Sequence, residues 1–144
     1  MKTWIDAHDK PALLLAVMKE LVGNSNISFE GDLSNLELDK IESSRSDETE
    51  VLRRQTTSPV LDFIVLPLTE KTLQEVWSEI SQKDHLVNEG IIHVQIESEG
   101  ELAFGGYDNF HRACTIAYSA LSIEFLESMT VSYTHLTLPT IYSV

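Results

Sequence analysis

The stretch IIHVQIESEGELAFGG, residues 91–106, decides the fold of this chain. Its two halves, Ile91–Ser98 and Glu101–Gly106, are rich in apolar residues and are separated by Glu99 and Gly100. Apolar side chains at alternate positions predict a strand with one buried face, and a glycine between two such runs predicts a hairpin. We therefore expect an antiparallel pair of strands.

The register of this hairpin depends on the length of its loop. A two-residue loop pairs Gln95 with Phe104, whereas a three-residue loop pairs Val94 with Phe104. We predict the three-residue loop, because it keeps apolar side chains together and puts the glycine where a left-handed residue is wanted. This register also places His93 opposite Gly105.

Helix and strand signals alternate along the rest of the chain. They predict a helix capped by Asp9 and ended by Gly23, a strand at 26–31, a strand at 61–66, a helix after Thr69, a loop at Asp84–Gly90, a short strand at 114–117 and a helix capped by Ser122. The expected fold is α+β, with an antiparallel or mixed sheet of about four strands and two or three helices packed on one face. The other face is expected to be wet and to carry Ser28, Glu30, His93, Gln95 and Glu97.

A long acidic connection at about residues 32–58 interrupts this pattern. Between Phe29 and Leu52 there are eight acids and two bases, a net charge of 2 − 8 = −6. A connection of this length is uncommon in a compact domain and is often functional or mobile. It is interpreted either as a solvated linker or as a surface that recognises a basic partner.

Bulk properties narrow the classes of function. The chain has 144 residues, 42% hydrophobic and 23% charged, which fits one globular domain at about 1–130. The net charge of −13 argues against nucleic-acid and membrane binding, and is consistent with a basic protein partner or with solubility alone. The chain has a single cysteine, Cys114, and its N-terminus lacks a signal-peptide pattern, so we expect a cytoplasmic protein. We expect a monomer or a small homo-oligomer.

The C-terminal segment Val131–Val144 has a different character. Its sequence begins Val131-Ser-Tyr-Thr-His-Leu-Thr-Leu-Pro-Thr140. This string resembles the translated sequencing-adapter read-through that ends many metagenomic open reading frames. The resemblance implies a microbial source, bacterial or phage, and a tail that is not native. We expect the tail to be disordered, since it offers no charged or amphipathic anchor.

The loop Gly105–His111 is the densest candidate site. Tyr107, Asp108, Phe110 and His111 are side chains that could anchor an interface, and the glycine pair would let a partner approach the backbone. The alternative is a bulged turn whose aromatic rings close the edge of the core. The acids expected to join such an interface are Glu37, Asp39, Glu42, Asp47, Glu48 and Glu50.

An enzyme is the competing interpretation. His93, Asp108 and His111 could converge to bind a divalent metal or to act as an acid–base pair, although their spacing matches no metal signature. Cys114 with His111 could form a thiolate dyad, although no orienting residue is specified. The chain has no phosphate loop, dinucleotide fingerprint, paired-cysteine zinc site or nucleophile elbow. We therefore expect no cofactor.

The favoured hypothesis is a small acidic binding protein that recognises or neutralises a basic protein. In size, charge and α/β build the chain looks like proteins of the toxin-immunity or host-defence-inhibitor kind, an analogy of type that does not fix function. A domain without any active site is the third alternative.

Overall fold

The structure is a computed structural model that describes residues 2–82, 90–133, 136–137 and 141–143. Its strands are β1 Thr3–Asp6, β2 Ser25–Gly31, β3 Asp62–Pro67, β4 Ile91–Ser98, β5 Glu101–Gly106, β6 Thr115–Ala117, β7 Leu136–Thr137 and β8 Ile141–Ser143. Its helices are α1 Lys10–Leu21, α2 Glu70–Gln82 and α3 Ile123–Tyr133, with a short 3-10 helix at Leu38–Lys40. The predicted α+β class is confirmed.

One sheet runs through the molecule in the order β3-β2-β4-β5-β6-β1-β8-β7. The six strands from β3 to β1 are antiparallel to their neighbours, and β8 lies parallel to β1. This exceeds the four or so strands expected from the sequence. The additional N-terminal strand, β1, has only four residues and precedes a helix directly, so its alternation is too short to be recognised.

The helices begin where their caps predict. The Asp9 carboxylate accepts a hydrogen bond from the Ala12 amide at 3.1 Å, and the Ser122 hydroxyl accepts one from the Phe125 amide at 3.1 Å. These bonds satisfy amides that have no partner within the first turn of a helix. The apolar faces of all three helices share one core with Ile27, Phe29, Ile64, Leu66, Val94, Ile96 and Phe104 of the sheet.

The predicted register of the hairpin is wrong. Ser98 pairs with Glu101, so the loop has two residues, and Glu99 and Gly100 take φ values of 53° and 85°. Two consecutive left-handed residues form the tight turn that matches the twist of antiparallel strands. A bulge between Ile96 and Glu97 then shifts the pairing by one residue, so that Ile96 lies opposite Phe104. The bulge brings apolar side chains opposite each other, which is the pairing that the three-residue loop was expected to provide. The alternation of residues in the sequence does not indicate a bulge.

Four of the five polar side chains expected on a wet face of the sheet are buried, which overturns that expectation for them, and the fifth, Glu97, is half-buried. Ser28, Glu30, His93 and Gln95 are only 2%, 1%, 9% and 3% exposed. The acidic connection turns back over them, and Leu52 is buried against Phe63 and Val65 on this face. We call residues 44–60 the covering segment.

The covering segment also pairs with the edge of the sheet. The Arg45 amide donates to the Val65 carbonyl at 2.9 Å, and the Val65 amide donates to the Arg45 carbonyl at 2.7 Å. This pairing covers the outer edge of β3 at Val65, and Pro67 at the end of the strand has no amide proton to offer. The acidic connection is therefore part of the folded domain.

Two of the sequence predictions fall on segments that the structure describes only in part. The predicted loop at Asp84–Gly90 lies outside the described residues except for Gly90. In the tail, the described residues complete α3 and form β7 and β8, and the non-native origin of Val131–Val144 stays a prediction. Among the described residues, no helix combines the length and the apolar character that crossing a membrane requires.

Candidate functional site

A layer of buried polar side chains lies between the sheet and the covering segment. Glu30 of β2 is its most buried member, and its two carboxylate oxygens accept hydrogen bonds from the Gln55 amide at 2.8 Å and the Thr56 amide at 3.2 Å. Both oxygens act as acceptors, so the geometry accommodates the charged carboxylate. Glu30 therefore anchors the covering segment to the sheet.

Gln95 of β4 makes a second anchor in the same layer. Its Oε1 accepts a hydrogen bond from the Arg53 amide at 3.1 Å, and its Nε2 donates to the Tyr107 hydroxyl at 3.1 Å. The side chain thus joins the covering segment to the loop that follows β5. The pKa of Tyr107 is raised, mainly by burial and against the effect of the Gln95 hydrogen bond.

His93 of β4 is held through both ring nitrogens. Its Nδ1 accepts a hydrogen bond from the Asp108 amide at 3.1 Å, and its Nε2 lies 2.8 Å from the Thr56 hydroxyl oxygen. Because Nδ1 is an acceptor, the proton of the neutral ring resides on Nε2 and is donated to Thr56. Burial lowers the pKa of His93, against the opposing charges of Glu30 and Asp108.

The turn after β5 has an unusual backbone. Asp108, Asn109 and Phe110 have consecutive φ values of 52°, 55° and 58°. Left-handed conformations are unfavourable for residues with a Cβ, so the surrounding structure must hold them in place. The Asn109 amide donates to the Ile92 carbonyl at 2.7 Å, and the His111 amide donates to the Tyr107 carbonyl at 3.1 Å. We call residues 107–111 the left-handed turn.

The aromatic residues of this turn mainly close the core. Phe110 is 3% exposed and packs 6.1 Å from Phe104, centroid to centroid, while Tyr107 is half-buried. A Cβ on Gly106 would lie 2.7 Å from the Phe110 ring, so the glycine makes room for that ring. Phe110 is therefore not available as a contact for a partner, whereas Asp108 and His111 are exposed.

The structure does not assemble the predicted catalytic or metal-binding group. His93 bonds to the Asp108 backbone and not to its carboxylate, and the exposed His111 accepts a hydrogen bond from the Ala113 amide at 3.1 Å. Within the described residues there is no group of three or more histidine, cysteine or acidic side chains that could hold a metal ion. Cys114 is half-buried, and its backbone amide donates a hydrogen bond to the His111 carbonyl at 2.8 Å.

The acids of the connection have different environments. The Glu48 carboxylate accepts hydrogen bonds from the Arg54 amide at 2.8 Å and forms an ion pair with Arg53 at 3.1 Å. Glu42 lies 3.8 Å from Lys71 of α2 in an exposed ion pair. Asp39, Asp47 and Glu50 are exposed. Glu48 thus shapes the covering segment, and the other acids face solvent.

Two adjoining grooves of about 750 Å³ and about 510 Å³ meet at the 3-10 helix. The charged residues that line them are Glu37, Asp39, Lys40, Arg45 and Asp62 in the first, and Glu37, Lys40, Glu75 and Glu79 in the second. Taken together they carry five acids and two bases, a net charge of 2 − 5 = −3. We call this set the acidic ridge.

Lys40 lines both grooves of the ridge and is surrounded by its acidic side chains. Its ammonium group lies 3.1 Å from the Glu37 carboxylate. Its pKa is raised by the hydrogen bond and charge of Glu37 and, to a lesser extent, by Asp39 and Glu79.

The sequence did not reveal the anchoring roles of Glu30, Gln95 and Thr56. One signal was present in β3, where apolar residues occupy both faces, since Phe63 and Val65 alternate with Ile64 and Leu66. Such a strand is covered on both sides. Comparison of the chain with protein-family models, with curated proteins and with solved structures gave no significant match.

Proposed function

We propose that this protein is an acidic binding module that docks on a basic surface of another protein through the acidic ridge. The observation that carries the proposal is the clustering of five acids with two bases along two adjoining grooves, where the Glu37 carboxylate already pairs with the Lys40 ammonium group at 3.1 Å. A lysine or arginine of the partner would find the same carboxylates in the two grooves. The ridge offers specificity through shape as well as charge.

The net charge of −13 would steer a basic partner toward this surface before contact. Three further acids are exposed and lie close in sequence to the ridge residues, namely Glu42, Asp47 and Glu50. They add to the negative electrostatic field that would attract the partner. Glu48 does not line the ridge, and its carboxylate pairs with Arg53 and accepts the Arg54 backbone amide within the covering segment. A function of the immunity or inhibitor kind fits this arrangement, because such proteins neutralise a partner by covering it.

The proposed contact lies at the ridge and not at the left-handed turn. Phe110, the apolar side chain expected to anchor a contact there, is buried and does not reach the surface. For the competing enzyme hypothesis, the described residues include no group of three or more histidine, cysteine or acidic side chains that could hold a metal ion, and His93 bonds to the backbone of Asp108.

A capture experiment with matched variants tests the proposal. The immobilised protein is exposed to a microbial lysate at low and at high salt, and bound proteins are identified by mass spectrometry. The ridge variant carries Glu37→Gln, Asp39→Asn and Glu75→Gln. The control carries Glu20→Gln, Glu101→Gln and Glu124→Gln, three exposed acids elsewhere whose removal changes the net charge equally.

Capture of one basic protein by the native chain and by the control, lost at high salt and in the ridge variant, is the expected result. Equal capture by the ridge variant would show that general charge, and not this surface, attracts the protein. Absence of any captured protein at low salt would contradict the proposal.

A further inference from the structure

We propose that His93 is a proton-operated latch that holds the covering segment and the left-handed turn against the sheet and releases the turn when the imidazole is protonated. One ring nitrogen engages Thr56 of the covering segment and the other engages the backbone of Asp108. A single side chain on β4 thus joins two loops that are distant in sequence. This regulatory role is independent of the partner proposed above.

The latch follows from the direction of one hydrogen bond. Nδ1 of His93 accepts the Asp108 amide proton at 3.1 Å, and Nε2 already carries the proton of the neutral ring. An added proton must therefore go to Nδ1. Two donors would then face each other across 3.1 Å, so the hydrogen bond cannot survive protonation.

The left-handed turn is the element that yields. Its residues Asp108, Asn109 and Phe110 hold backbone conformations that are unfavourable without support. The His93 bond is one of its few attachments to the sheet, next to the bond from the Asn109 amide to Ile92. Loss of the His93 bond is expected to free the turn and to weaken the burial of Phe110.

Groups on several elements face the ring. Glu30 on β2 and Asp108 on the turn are the acids whose charges favour the imidazolium, and burial opposes them and dominates, so the pKa is lowered. The Tyr107 ring lies 5.9 Å from the imidazole, centroid to centroid. Protonation therefore occurs on the acid side of the ordinary imidazole range, where Glu30 and Asp108 can attract the new cation.

Two cations of the covering segment are near in sequence to Thr56 but are engaged by other groups. Arg53 is paired with Glu48 at 3.1 Å, and the Arg54 guanidinium lies 5.0 Å from the centre of the Phe63 ring. These contacts direct their charges to other partners. The titration of the latch is governed by the two acids and by burial.

Hydrogen exchange followed by mass spectrometry tests the latch. Exchange is measured at pH about 7.5 and about 4, because burial lowers the pKa of His93 from the ordinary imidazole value of about 6.5 and the lower pH must lie well below that value. After correction for intrinsic rates, peptides covering residues 107–111 are expected to exchange about tenfold faster at the lower pH, the factor that one hydrogen bond contributes. His93→Gln supplies an acceptor and a donor without titrating, so its corrected rates are expected not to change.

His111→Gln is the matched control, because His111 is an exposed histidine of the same turn and its replacement should leave the pH response intact. Equal corrected rates at both pH values in the native chain would overturn the proposal. The same acceleration in His93→Gln would also overturn it, since other groups would then cause the release.

A measurement on the native chain covers the case in which His93→Gln does not fold. Ring-nitrogen NMR is expected to show the Nε2–H tautomer at neutral pH, and the Asp108 amide resonance is expected to shift with the same midpoint as the imidazole. An Nδ1–H tautomer, or an Asp108 amide that does not follow the imidazole, would overturn the latch.

Discussion

Glu30→Gln is the substitution that most sharply probes the attachment of the covering segment. The change keeps the shape of the side chain and replaces one acceptor oxygen with an NH₂ group. The remaining oxygen can accept from either the Gln55 or the Thr56 amide, which lie 2.8 and 3.2 Å from the native carboxylate. The other amide would then face a donor.

The magnitude follows from burial. Glu30 is 1% exposed, so water cannot replace the lost acceptor. A hydrogen bond to a charged group contributes about 1.5–3 kcal/mol, and a buried donor left without a partner costs about 1–3 kcal/mol. These effects overlap, so the free energy of unfolding is expected to fall by about 2–4 kcal/mol.

Urea unfolding and limited trypsin digestion measure this effect. The covering segment contains Arg53 and Arg54, and cleavage after them requires its local release. A local destabilisation of about 2 kcal/mol corresponds to cleavage about 30-fold faster. Glu101→Gln, at an exposed position, is the control and is expected to change the unfolding free energy by less than about 0.5 kcal/mol. A Glu30→Gln protein with native unfolding free energy and native cleavage rate would refute the reasoning.

Four further outcomes are expected. Gly31→Ala would place a Cβ 2.3 Å from the Gly90 carbonyl oxygen at φ +155°, and should destabilise the fold by about 3 kcal/mol or more in urea titrations. Gly23→Ala, at φ +131° in open space, should cost only the backbone strain of about 1–2 kcal/mol, and equal losses would contradict the role of the contact. Asp9→Ala should cost about 1 kcal/mol through loss of the α1 cap, seen as a lower urea midpoint with an unchanged slope. Because the pKa of His93 is lower in the folded chain, the unfolded chain binds more protons below pH about 6.5; stability should be highest above that pH and fall as pH drops toward the folded pKa. The part of this loss that His93 causes should disappear in His93→Gln, as judged from urea midpoints across pH, and persistence of the full loss would contradict the assignment.

The parts of the fold that depend on local signals were predictable. The bounds of β4 and β5, and the capping residues Asp9 and Ser122, agree with the sequence pattern. Alternation of side chains and capping are properties of a few adjacent residues, so the sequence contains the information directly. The bulge at Ile96 depends on the packing of the whole sheet, and for that reason the predicted register was wrong.

The covering segment shows why the site was harder to predict than the fold. A strand that alternates apolar and polar residues has the same pattern whether water or a loop covers its polar face. Ser28, Glu30, His93 and Gln95 were therefore expected to be wet, although all four are buried. Amides of the covering segment bond to Glu30 and Gln95, and His93 bonds to the Thr56 hydroxyl and to the Asp108 amide. The sequence also could not show that Leu52, which is fully buried, packs against Phe63 and Val65 of β3.

The central claim is that the covering segment is bound to the sheet by buried polar side chains. Residue-resolved amide hydrogen exchange of Arg53, Gln55 and Thr56 at neutral pH tests it most directly, because the acceptors of these amides are side chains of Gln95 and Glu30. The structure predicts exchange slowed at least about a hundredfold relative to an unstructured peptide, as for amides that open only with a cooperative unit. Exchange of these three amides at the unstructured rate would contradict the claim.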